Sequence, residues 1–217
     1  MKVICTLFFY CLLTLNVWAQ KTLTSIPTSI DKSAKYMFYL HGRIIEEQSV
    51  NAVSADYGPY EYLAILDTLS AHNFVVISEA RAKNTNQLIY AENIATQIDS
   101  LLHKGVPAKN IFVMGASKGA YITLLTARKV QNKYVNYIVL GVCAREEVNY
   151  WLEDKTEFCG NFLSIYEDSD AFGGSCGFLL GQGVCISRFE EVKLNMGNRH
   201  GFLYKPYKEW VDPVMKW

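Results

Sequence analysis

Ser117 stands at the centre of Gly115-Ala116-Ser117-Lys118-Gly119-Ala120, directly after the apolar run Ile111 to Met114 and directly before an amphipathic segment. A G-x-S-x-G between strand and helix suits a strained turn that presents a serine hydroxyl, with small residues on either side letting strand and helix approach. A glycine turn serving packing alone has the same composition, so the flanking strand and helix carry the reading. The chemistry of such a serine is attack on an acyl carbon, and it needs a base. The chain has 4 histidines, namely His41, His72, His103 and His200. His72 falls where a helix gives way to a strand, and His103 near a helix end, where a cation beside the last carbonyls is the ordinary surface explanation. His200 lies in Met196-Gly197-Asn198-Arg199-His200-Gly201-Phe202, directly after the last strand, where the base of a serine, acid, histidine order along the chain belongs. The acid then falls between them, where Glu167, Asp168 and Asp170 crowd together. Acidic loop tips are mostly solvated, so Asp168 and Asp170 both stay open at this point. An acyl-transfer site also needs N–H donors for a developing oxyanion, and the N–H of Lys118, first residue of the helix after Ser117, is one by geometry.

These residues must be positioned by regular elements, and short apolar runs alternating with longer amphipathic ones predict a parallel sheet with helices on both faces, an α/β three-layer sandwich. The predicted strands are Tyr36 to Leu40, Phe74 to Ser78, Ile111 to Met114, Tyr137 to Leu140, Phe162 to Tyr166 and Phe189 to Leu194. Leu88, Ala91, Ile94, Ile98, Leu101 and Leu102 recur at steps of three and four, which predicts a helix ending near Gly105 and Pro107. Further helices are expected at Tyr60 to Ala71, Lys118 to Val130, Arg145 to Asp154, and from Tyr207 toward Trp217 with an interruption at Pro213. In open sheets of this kind ligands bind outside the carboxyl ends of the strands. His41, Glu79, Gly115, Gly141, Glu167 and Asn195 begin the loops at those ends.

Met1 to Ala19 carries one basic residue, Lys2, an apolar run from Val3 to Leu13, and the close Val17-Trp18-Ala19. It reads as a secretory leader cleaved before Gln20, the apolar run being shorter than the ~20 residues of a spanning helix. A stable membrane anchor is therefore not expected. The remainder, residues 20–217, has the length of one domain. The chain holds 21 basic and 21 acidic residues, so no field favours nucleic acid, and a small molecule or short peptide is the expected partner. Cys143, Cys159, Cys176 and Cys185 remain after the leader, none in a metal-binding spacing, so neither zinc nor another cofactor is expected. Along parallel strands Cys143 and Cys176 fall on the carboxyl side and Cys159 and Cys185 on the amino side. Topology thus favours those two pairings, with a local Cys176 to Cys185 bridge as the alternative, while Cys143 and Cys159 should be separated by more than ~7 Å.

The elbow, the turn Leu40-His41-Gly42-Arg43, the acidic loop and the final His200-Gly201-Phe202-Leu203 resemble, in order and spacing, the α/β-hydrolase superfamily, over nearly all of the chain after the leader. The resemblance is to small uncapped members, similar to dienelactone-hydrolase-like and peptidase-like esterases. It implies that His200 takes the proton of Ser117, that Asp170, with Asp168 as runner-up, holds the imidazole, and that Gly42 or Arg43 supplies the second oxyanion donor. It implies hydrolysis of a small carboxylic ester, or of a thioester or peptide-like amide, without cofactor. A silent binding protein or an acyltransferase would keep the same residues. His41 is expected to order its loop by hydrogen bonds, and His41, Tyr57 and Arg81 are candidates to meet substrate, beside Glu46 and Lys83. A structural ion pair is the plainer expectation for Arg81, as are packing for Tyr57 and solvation for the Lys118 ammonium. Two departures stand out: the segment before Tyr36 is too short for two opening strands, predicting six strands, and 171–184 is glycine-rich where a helix is expected. Only about twenty residues separate Leu140 from Phe162, too few for a lid domain.

Overall fold

The computed structural model describes residues 22–153 and 157–217. The expected leader and the end of the helix expected over Arg145 to Asp154 lie outside the described residues. In chain order the elements are β1 (Thr22–Leu23), β2 (Lys35–Leu40), α1 (Arg43–Gln48), β3 (Val53–Ser54), β4 (Gly58–Pro59), α2 (Tyr62–Ser70), β5 (Phe74–Ile77) and α3 (Gln87–His103). They continue with β6 (Ile111–Ala116), α4 (Lys118–Val130), β7 (Asn136–Leu140), α5 (Arg145–Glu153), β8 (Phe158–Glu167), α6 (Leu179–Gln182), β9 (Gly183–Leu194) and α7 (Lys208–Lys216).

The central sheet has 7 strands in the order β1-β5-β2-β6-β7-β8-β9, and each neighbouring pair in it is parallel. Side chains alternate across the sheet as a period of two demands. Tyr36, Phe38, Leu40, Ile111, Val113, Tyr137 and Val139 face a core closed by α3, α4 and Trp151 of α5. Met37, Tyr39, Phe112, Met114, Ile138 and Leu140 face a second core closed by Ile45 of α1, by α2, and by Trp210, Val211 and Val214 of α7. This is the three-layer sandwich expected from the alternation of elements.

Three expectations change. The sheet has a seventh strand, because Thr22 and Leu23 pair with Val76 and Ile77 at its edge, a run too short to show a period. The last two strands begin earlier than their apolar cores suggest: Cys159 pairs with Cys185 and Gly160 with Ile186, with register shifts at Phe158/Cys159 and Gly160/Asn161. The last helix runs through Pro213 without interruption; a proline removes one intrahelical hydrogen bond, and the buried Trp210, Val211 and Val214 hold the helix on the sheet. Both disulfides follow the expected pairing, Cys143 with Cys176 and Cys159 with Cys185. Among the described residues no helix is long and apolar enough to cross a membrane.

Candidate active site

The elbow is built as its composition requires. Ser117 has φ 53° and ψ −121°, a left-handed backbone that costs a non-glycine residue energy and persists only where the surroundings impose it. Its N–H donates to Leu140 O of β7 (2.9 Å), and its carbonyl accepts from the N–H groups of Ala120 and Tyr121. A Cβ at Gly115 would lie 2.1 Å from Gly119 O, and one at Gly119 would lie 1.8 Å from Leu40 O. Glycine at both positions is therefore a steric necessity, and β2, β6 and α4 meet backbone to backbone beneath the serine.

Asp170 and His200 come together from the loops after β8 and β9. Asp170 is buried, and its Oδ2 lies 2.7 Å from His200 Nδ1. Asp168 points elsewhere, paired at 2.6 Å with Lys193 in an exposed bridge. The two loops are also joined by Glu167, buried at the end of β8. Met196 N–H and Gly197 N–H donate to its carboxylate (2.9 and 3.1 Å), and Arg199 N–H donates to Ser169 Oγ. The Nδ1 partner leaves His200 Nε2 as the ring nitrogen without a hydrogen bond among the described residues. Among the described residues no hydrogen bond joins Ser117 to His200.

The glycine-rich segment after Asp170 packs against the loop after β7. Gly173 pairs with Cys143, Gly174 N–H donates to Val142 O (2.9 Å), and a Cβ at Gly173 would lie 3.0 Å from both Asp170 Oδ2 and Gly141 Cα. The helix expected in this stretch is reduced to the four residues of α6, and the remainder is held by backbone contact, which the Cys143–Cys176 bridge fastens.

The loop after β2 lies against the serine: a Cβ at Gly42 would sit 3.7 Å from Ser117 Cβ. Arg43 and Lys118 are the first residues of α1 and α4, positions whose N–H groups have no partner within their own helix. His41 is fully buried. Its Nδ1 lies 2.8 Å from Gly42 O and its Nε2 accepts from Arg81 N–H (2.9 Å). Burial, and next the Arg81 charge, lower its pKa to about 3. It is a neutral ring wedged under the loop, with no route to substrate.

Arg81 is likewise withdrawn from the cleft, 3% exposed, because its guanidinium donates to Glu46 Oε1 (2.8 Å) and to His41 O. Glu46, also buried, meets a second cation: Lys118 Nζ lies 2.5 Å from Oε2 and donates to Thr85 O (2.9 Å). One carboxylate thereby ties the loop after β2, the loop after β5 and the start of α4 together. Residues 72 positions apart make the Lys118 contact, and nothing in a single sequence announces it. Tyr57 packs on Tyr204 at 5.2 Å under the Arg199 guanidinium and braces Gly201, where a Cβ would lie 2.7 Å from its ring. It therefore supports the histidine loop. An open cleft of about 460 Å³ lies beside Ser117, walled by the charged Arg43, Glu46, Glu47 and Lys118 and by Asn84, Gln87 and Tyr121, so that Glu46 lines it as expected. Asn84, Gln87 and Tyr121 were not singled out by the sequence, since exposed amides and a helix tyrosine carry no pattern of their own.

No protein-family model matches the chain, and no curated protein matches it by sequence. Solved structures do match in fold. A lipase-esterase related protein from Clostridium acetobutylicum superposes with TM-score 0.53 at 15% identity, covering 86% of this chain and 96% of that one. The Francisella virulence factor BioJ gives 0.52 at 15% identity, over 88% and 77%. Est1E from Butyrivibrio proteoclasticus gives 0.50 at 11%, over 88% of each chain. The fold is that of the α/β-hydrolases.

Proposed function

We propose that the chain is an exported serine hydrolase that cleaves small carboxylic esters. The observation that carries this reading is the Asp170–His200 pair, 2.7 Å apart, formed by loops that the order serine, acid, histidine assigns to acid and base. The backbone strain at Ser117 supports it, as do the esterase and lipase descriptions of proteins sharing the fold.

In this reading His200 Nε2 takes the Ser117 proton as Oγ attacks the acyl carbon, and Asp170 holds the imidazole and stabilises the imidazolium. The oxyanion lies between the N–H groups of Lys118 and Arg43, with Gly42 allowing the close approach. Collapse breaks the ester bond, His200 gives its proton to the departing oxygen, and a water activated by the same ring releases the acid from the acyl-enzyme. Two disulfides support an oxidising compartment and hence export; a mature chain beginning at Gln20 by intact mass would agree, and a retained leader would not.

The test is turnover of short-chain p-nitrophenyl esters. The wild type is expected to hydrolyse them, and Ser117→Ala and His200→Ala to lose about 10⁴-fold or more in kcat while remaining folded. Folded, oxidised wild type without esterase activity would turn the reading toward a binding protein that uses the same cleft.

A further inference from the structure

We infer, resting on the hydrolase reading, that the cleft beside Ser117 takes the acyl part of the substrate and selects an amide-bearing acyl group ending in an aromatic or other apolar cap. His200 and Asp170 rise from the loops after β9 and β8, on one side of β6, whereas the cleft is walled by the loops after β2 and β5, on the other. A base that later protonates the leaving oxygen places the leaving group on its own side. The acyl group therefore extends across Ser117 toward Asn84 and Gln87.

The chemistry of the wall narrows its class. The charges there are already engaged: Arg43 with Glu47 at 2.9 Å, and Lys118 with Glu46, a carboxylate it shares with Arg81. The Asn84 and Gln87 side-chain amides, by contrast, make no hydrogen bond among the described residues, and together they offer donors and acceptors to a peptide-like C=O and N–H. The cleft does not end there. Gln87 and Tyr121 also line a second hollow of about 360 Å³, whose remaining wall includes Leu88, Leu125 and Tyr150. Leu88 and Tyr150 are 54% and 50% exposed and give this second hollow an apolar wall beyond the two amides. A substrate polar near the scissile carbonyl and apolar at its far end fits both hollows; a simple alkanoyl chain would leave the amides of Asn84 and Gln87 facing hydrocarbon.

The test compares p-nitrophenyl esters of N-benzoylglycine and of 4-phenylbutanoic acid, which differ by an amide in place of two methylenes. The wild type should favour the benzoylglycyl ester by about tenfold in kcat/KM, after division by the hydroxide-catalysed rates, and Gln87→Leu with Asn84→Ala should abolish the preference. Tyr150→Ala should lower the rate for benzoylglycyl and leave acetylglycyl unchanged. Binding of the two free acids to Ser117→Ala, read by NMR shifts at Gln87 and Tyr121, isolates the subsite from catalysis. Preferential binding of N-benzoylglycine without wild-type turnover would keep the subsite and overturn the hydrolase. Equal normalised turnover of both esters without a binding preference would overturn the subsite and keep the hydrolase.

Discussion

A carboxylate withdrawn from water is stable only where its charge is met, and Glu46 meets two cations from separate segments, Arg81 and Lys118. Its replacement strands both. Glu46→Gln is expected to cost about 3 kcal/mol of stability and, because Lys118 and the Gly42 loop carry the proposed oxyanion donors, to lower kcat more than it raises KM. Urea unfolding and steady-state kinetics on the same preparation check both halves; a variant with normal kcat would confine Glu46 to a structural role. His41 makes a second residue-scale prediction. Its folded pKa of about 3 lies below the ordinary 6.5, through burial and then Arg81. Below 6.5 the unfolded chain therefore binds a proton that the folded chain refuses, and stability falls with pH down to about 3. The slope is up to roughly 1.4 kcal/mol per pH unit; above 6.5 this residue contributes none. His41→Asn should be less stable at neutral pH yet show an acid slope shallower by about one proton. An unchanged slope would contradict the buried neutral ring.

Glycine decides much at the scale of elements, in two different ways. At Gly119 an added methyl would meet Leu40 O at 1.8 Å, whereas at Gly181 it would meet nothing within 4 Å. Gly119→Ala should fail to fold or lose the elbow, and Gly181→Ala, inside α6, should leave the fold intact and slightly raise the melting temperature. The Cys143–Cys176 bridge spans 33 residues and fastens the loop that presents Asp170. Converting both cysteines to serine should cost about 4 kcal/mol by chain entropy and lower kcat/KM for ester hydrolysis, whereas a fully active variant would show that the glycine contacts suffice. The elbow and the turn at His41-Gly42 were legible in the sequence because close backbone approach demands small residues at fixed spacing. Asn84 and Gln87 were not, because tertiary approach of separate segments, not local pattern, gives them their place; Glu46 was expected at the cleft, but its pairing with Arg81 and Lys118 was not. The ion pair expected for Arg81 is present, but its partner, Glu46, lies 35 residues away and could not be named from local pattern.

Across the whole molecule, alternation of short apolar runs and amphipathic helices was enough to read a parallel α/β sandwich, since each strand buried on both faces is a continuous apolar run. Where that signal weakens, the boundaries were misjudged. β8 and β9 open with Cys159, Gly160, Cys185 and Ser187, whose mixed polarity hides four to six residues of strand, and the Cys159–Cys185 bridge holds that end closed. The edge strand Thr22–Leu23 is too short to carry any period. The account as a whole rests on one activated serine at the carboxyl end of β6, and a fluorophosphonate probe read by intact mass tests it most directly. A single adduct on folded, oxidised wild type, mapping to Ser117 and missing from Ser117→Ala, is the result predicted. No adduct, or one that persists in Ser117→Ala, would contradict it.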